Sequence, residues 1–270
     1  MCSFKVVPGE LTLLDIEFLS SQPESIYLEP SCWQQVNDAE HVVNDIVKSN
    51  QTVYGINTGF GLLAHTNIAS SELSVLQRKI LLSHAAGMGE LLSDAIVKLI
   101  LLFKINSLAR GYSGIRRHVI ELLIKFYNKG IYPCVPAKGS VGASGDLAPL
   151  AHLSLPLIGE GKVRYEGQII SGMDALAIIG EEPIELAPKE GLALINGTQV
   201  STAIAFHHLL QAQKLLTAGV IISALSVDAA LGTHLAFHPA IHEARGQSGQ
   251  IVVAKLLRDL LVGSEILASH

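Results

Sequence analysis

The 270-residue sequence predicts a mainly α-helical fold with one small β-hairpin, and three observations point there. Apolar residues recur at helical spacing: Leu73, Leu76, Ile80 and His84 share one face of 72–87. Val119, Leu122, Leu123 and Phe126 share one face of a helix running from about Ile115 to a stop at Asn128-Lys129-Gly130. The stretch TQVSTAIAFHHLLQAQKLLTAGVIISALSVDAALG, from residue 198, meets no proline before Pro239 and predicts a single helix of about thirty residues, well beyond the usual globular length. Its C-terminal half is apolar nearly all round, as suits a helix central to a bundle. Only KVRYEGQII, 162–170, gives a clear strand signal, with Glu166-Gly167 as its hairpin turn.

The remaining elements follow in order. Ser93 and Asp94 are placed to cap a strongly apolar run that ends at Gly111. IYPCVPAKGSVG has two prolines and two glycines and predicts a loop that approaches something closely. No internal repeat, low-complexity tract or flexible linker interrupts the chain. The best domain seam is Arg110-Gly111-Tyr112-Ser113-Gly114, which divides an N-terminal, mostly helical domain (1–112) from a central helical-bundle domain (113–270).

Hydrophobic residues make up 49% of the chain and charged residues 16%, so partner subunits are expected to cover much of the surface. The net charge is −5 and Arg116-Arg117 is the strongest basic cluster, which argues against a nucleic-acid partner. The N-terminus lacks a basic start leading into an apolar core, so no secretory signal is expected. The longest apolar stretch, LLTAGVIISALSV, has 13 residues, short of the roughly 20 that span a bilayer, and no membrane partner is expected. Three cysteines without paired spacing suggest neither disulfides nor a zinc knuckle, and a cytoplasmic location is the expectation.

GSVGASGDLAPL, 139–150, carries the chemistry. Without a Cβ at Gly145, its backbone nitrogen can approach the Ala143 carbonyl carbon in a tightly bent loop. Ring closure there, with loss of water and dehydration of Ser144, would leave a five-membered ring bearing an exocyclic methylidene, an electrophile no ordinary side chain supplies. Asp146 is placed to assist the proton transfers, and a helix entering at Leu147 tolerates Pro149 in its first turn. The plain alternative is a small-residue loop with Asp146 as an N-cap. A nucleophile elbow and a Walker loop both fit worse, since Asp146 takes the final glycine position and no Gly-Lys-Ser/Thr ending follows. TVYGINTGFG, 52–61, sets Tyr54 beside Gly55, Gly59 and Gly61, glycines that let backbone crowd a ligand. In LALINGTQ, Asn196 reads as an N-cap opening the long helix, or as an amide that holds a carboxylate or the ring's oxygen.

YGINTGFG, SHAAGMGE, GSVGASGDLAPLAH and ALINGTQ, in this order, closely resemble the aromatic amino acid ammonia-lyase family, and within it the histidine-specific enzymes. The resemblance runs from about residue 11 onward and corresponds to the N-terminal half of the family's chain. It implies a long-helix bundle of the ammonia-lyase (L-aspartase/fumarase-like) type, and a 4-methylidene-imidazole-5-one formed autocatalytically from Ala143, Ser144 and Gly145, without metal or nucleotide. It further implies Tyr54 as the base for the substrate β-proton, Asp146 among the catalytic residues with the tripeptide, Asn196 beside the prosthetic group and the substrate, and His84 and Gly61 on the substrate. The reaction implied is deamination of L-histidine to urocanate and ammonia in a homotetramer. On periodicity alone His84 is a core histidine; the motif makes it the mark of histidine as substrate. Phenylalanine or tyrosine ammonia-lyase or aminomutase is the alternative activity, and a non-catalytic fragment of the same fold the alternative role.

This sequence departs from the family in stopping at GSEILASH, before the arginine and acidic residue that the family's second half supplies. RGQSGQ, 245–250, also lacks the usual histidine and proline. A truncated product with little lyase activity is therefore expected. His234, His238 and His242 stand four apart, which on a continuous helix suggests a metal site, but Pro239 argues against that helix.

Overall fold

A computed structural model describes residues 3–49, 51–59, 66, 68–142 and 144–269. It is mainly helical, and its chain forms two compact units, Met1–Ala205 and Phe206–His270. The first contains β1 (Ser3–Val6), α1 (Leu13–Ser21), β2 (Ser25–Leu28), α2 (Cys32–Lys48), α3 (Leu73–His84), β3 (Met88–Leu91), α4 (Asp94–Leu108), α5 (Arg117–Lys129), β4 (Tyr132–Pro133) and β5 (Pro136–Lys138). It continues with α6 (Leu147–Ser154), β6 (Lys162–Tyr165), β7 (Gln168–Ser171), α7 (Gly172–Ile178), α8 (Glu190–Ile195) and the start of α9 (Gln199–Ala229).

The unit is built around α4. Nine of its fifteen residues are buried, Lys104 among them, which makes it a helix enclosed on nearly every side. α5 packs on α4 through the predicted face, with Val119, Leu122, Leu123 and Phe126 fully buried. α3, α6 and α8 pack on one another and form the support of the site. The hairpin is as predicted: β6 pairs antiparallel with β7, and Glu166 and Gly167 both adopt positive φ (49° and 77°), the signature of a two-residue turn whose twist matches the strands.

Two features differ from expectation. The strands are more numerous: β4 joins β6 to make a three-stranded sheet, β1 pairs parallel with β2, and β3 pairs antiparallel with β5 across an irregular register. These strands have two to four residues, too few for an alternating pattern to register in sequence. The 112/113 seam also lies inside the first unit. There Gly111 packs on Gln35 and Gly114 on Val43, both of α2, so the glycines mark close packing in place of a boundary.

The second unit comprises the rest of α9, α10 (Pro239–Arg245), α11 (Ser248–Leu261) and α12 (Glu265–Ala268). Its core is Val220, Ala224, Leu257 and Leu261. α9 is one continuous 31-residue helix, as predicted. Much of its apolar surface is exposed, including Leu215, Leu216, Ile222 and Leu225. With the short helix before it, α9 is long and apolar enough to cross a membrane by length and composition alone, at a mean hydropathy of 1.4. The 13-residue uninterrupted run did not suggest this. The middle helix of a soluble bundle has the same composition. The three spaced histidines do not share a helix: His234 opens a 3-10 turn, His238 precedes α10, and His242 hydrogen-bonds Ala236 and Gln250.

Candidate active site

The small-residue loop and the ALINGT segment meet backbone to backbone. Gly145 is buried at φ +143°, and a Cβ there would lie 2.5 Å from the Gly197 carbonyl oxygen and 2.8 Å from its nitrogen, so only glycine fits. The Asp146 N–H donates to the Gly197 carbonyl at 2.7 Å, closing the contact. Ser144, immediately before, is exposed. Ala143 and Gly61 lie outside the described residues.

Asp146 is 3% exposed, and its carboxylate is fully engaged. Oδ1 accepts from Ser140 Oγ at 2.8 Å, while Oδ2 accepts from the Ser201 N–H at 2.8 Å and Ser201 Oγ at 2.9 Å. Ser201 is the third residue of α9, so the anion satisfies one of that helix's unpaired N-terminal donors and sits at the positive end of its dipole. Asp146 takes the N-cap position of α6, which starts at Leu147 as predicted, and its carbonyl accepts the Leu150 N–H, but its side chain makes no bond to that helix. The N-cap expectation for Asn196 is corrected: it closes α8, its N–H donating to Leu192 O, and the Asp146 carboxylate serves the α9 terminus.

Tyr54 is 59% exposed on a loop that rests on α8. Gly55 follows at φ +80°, where a Cβ would stand 2.6 Å from Leu192 Cδ2. The buried Asn57 staples this loop: its Oδ1 accepts the Val53 N–H and its Nδ2 donates to Gln51 O. Asn196 is exposed and lines a cleft of about 370 Å³ with Tyr112, Ser113, Lys189, Leu192, Ala193 and Gly197.

His84 is the last residue of α3 and half-buried, its Nδ1 2.9 Å from Ile80 O. A carbonyl only accepts, so Nδ1 is the donor in this contact and Nε2 is the ring nitrogen left for other partners. Three residues on, the Gly87 N–H donates to His152 Nε2 of α6 at 3.0 Å, and a Cβ on Gly139 would lie 3.1 Å from Gly87 Cα. All four sequence motifs therefore adjoin the α3–α6–α8 support.

Several supporting residues escaped the sequence reading. Glu190, buried at the start of α8, holds Arg116 through both oxygens and also accepts the Ala187 N–H. Gln77 Oε1 accepts the Leu192 N–H at 3.3 Å. Lys104 donates from the core to Ala193 O at 2.7 Å and Asn196 O at 3.0 Å. Lys104 left a signal, a single lysine inside LILLFKINSL; the others left none.

A mainly helical chain in which Gly145, after Ser144, is sealed against an Asn-Gly turn defines the class. Residues 11–270 match the family described as aromatic amino acid lyase, and the chain belongs to that family. It is 54% identical over 271 residues to the histidine ammonia-lyase of Vibrio cholerae serotype O1, covering 100% of this chain and 53% of the relative. It is 55% identical over 263 residues to that of Pseudoalteromonas atlantica, covering 97% and 52%. Among solved structures, histidine ammonia-lyase from Trypanosoma cruzi superposes with a TM-score of 0.86 at 35% identity, covering 94% of this chain and 50% of that one. Phenylalanine aminomutase from Pantoea agglomerans gives 0.90 at 31% identity, covering 98% and 51%. The chain spans about half the length of the curated relatives it matches.

Proposed function

We propose that this chain furnishes the prosthetic-group half of a histidine ammonia-lyase, which converts L-histidine to urocanate and ammonia in the cytoplasm as a homotetramer. The observation that carries this reading is the Gly145–Gly197 contact. A tripeptide that must cyclise needs a bent, Cβ-free third residue, and this position admits nothing larger. A second feature suits the same group: Gln199 Oε1, beside Gly197, is buried without a hydrogen-bond partner among the described residues. Ala143, Ser144 and Gly145 would form the 4-methylidene-imidazole-5-one, which supplies an electron-poor alkene able to take up an amine.

The chain's own side chains then have distinct tasks. Asp146 fixes the loop's exit to α9 through Ser201. Tyr54, on the exposed tip of its loop, takes the substrate β-proton. His84 offers Nε2 as an acceptor to the imidazole N–H of the substrate, while Asn196 and Gly61 bound the substrate. Identity favours histidine: the chain is 54% identical to a histidine ammonia-lyase among the curated relatives, and among solved structures 35% identical to one against 31% to a phenylalanine aminomutase.

Intact mass is the test. Cyclisation with dehydration removes two waters from the chain, and Gly145→Ala should restore the unshifted mass. An unshifted mass in the unaltered protein would mean that Ser144 is an ordinary serine and would remove the basis for deamination.

A further inference from the structure

We propose that Lys104 is a positioning residue for the prosthetic-group loop: its buried amine holds the Asn196 carbonyl and, through it, the Gly197 turn on which Gly145 and Asp146 rest. The inference builds on the proposed function above but stands on its own geometry.

Lys104 is 1% exposed in the middle of α4, between Leu101, Leu102, Ile105 and Leu108, all fully buried. No ion pair joins it among the described residues. A buried amine without a carboxylate is costly, and a methionine would fill the same space. What it holds is the C-terminal end of α8. That helix has six residues and turns at once through Asn196-Gly197-Thr198 into α9; its cap N–H, from Asn196, reaches Leu192 O, and the Ala193 and Asn196 carbonyls take donors from elsewhere. Lys104 Nζ supplies the missing donors, 2.7 Å from Ala193 O and 3.0 Å from Asn196 O.

Burial pushes the amine down to about 7, and in either protonation state it has at least the two N–H groups that the two carbonyls take. From Asn196 the chain of contacts is short: the next residue's carbonyl receives the Asp146 N–H at 2.7 Å and walls in Gly145. Without Lys104 the Ala193 and Asn196 carbonyls would lose this donor, and the turn they anchor would be free to shift.

Hydrogen exchange followed by mass spectrometry tests this on the 270-residue chain. Lys104→Met keeps length and apolar bulk but donates nothing. The expected result is a loss of protection, on the order of tenfold, in peptides covering 144–150 and 193–203, with the 162–171 hairpin unchanged. A purely packing role predicts uniform loss set by global stability, and either that or unchanged protection in a folded variant would overturn the assignment. Should Lys104→Met not fold, Lys104→Gln, which retains two N–H donors on a shorter arm, is judged by the same contrast. Intact mass on the same samples reports separately on the prosthetic group. An unshifted mass with selective loss of protection sinks the deamination reading and keeps the positioning role; a shifted mass with unchanged protection does the reverse.

Discussion

His152 shows how one ring nitrogen ties the loop at Gly87 to α6. Its Nε2 accepts the Gly87 N–H, which requires an unprotonated ring, and burial holds its pKa below the ordinary 6.5. The folded state therefore binds this proton less readily than the unfolded chain. The stabilisation is fully present above 6.5 and is lost as pH falls through the lowered folded value. Urea unfolding at about pH 5 and about pH 8 should show that fall in the unaltered chain, and a shallower one in His152→Gln, whose amide stays neutral. Equal slopes would mean that other groups carry the acid sensitivity. At this scale the sequence pointed to Tyr54, His84, Ser144, Gly145, Asp146 and Asn196, since a motif is a local string. Their partners Ser140, Ser201 and His152 are known only from the fold, because a serine or histidine at ordinary spacing looks the same whether or not a carboxylate or an N–H faces it.

At the scale of elements, α8 is the instructive case. Six residues cannot hold a helix in water, so its stability is borrowed from three neighbours. Glu190 binds Arg116 at its start, Gln77 receives an N–H from its middle, and Lys104 caps its end. Glu190→Ala should cost about 3 kcal/mol in urea unfolding, the low end for a broken buried pair, because Arg116 reaches solvent on one side. A loss below about 1 kcal/mol would show that the ion pair is incidental to the helix. α3, α5, α9 and the hairpin were legible because each repeats its period several times or carries a positive-φ turn. α8, β1, β2, β3 and β5 were not, since three to six residues hold barely one turn or two alternations.

For the whole molecule, the low charge content has a visible counterpart. α9 leaves Leu215, Leu216, Ile222 and Leu225 exposed, and patches of this kind are covered in working proteins. The 270-residue chain alone should therefore associate as its concentration rises, checked by light scattering. It should also form urocanate, followed by absorbance, at a small fraction of the rate of an intact relative. A monodisperse monomer turning over at the relative's rate would contradict both expectations. By itself the sequence determined the mainly helical class, the single long helix, the hairpin and the family, because periodicity and contiguous motifs are properties of neighbours along the chain. Only the tertiary structure decided that the Asp146 carboxylate serves α9 in place of α6, that Asn196 closes a helix and does not open one, and that a core lysine holds the corner. Those are pairings between segments some 50 to 90 residues apart, chosen by which buried donor finds which buried acceptor, and no local pattern encodes that choice.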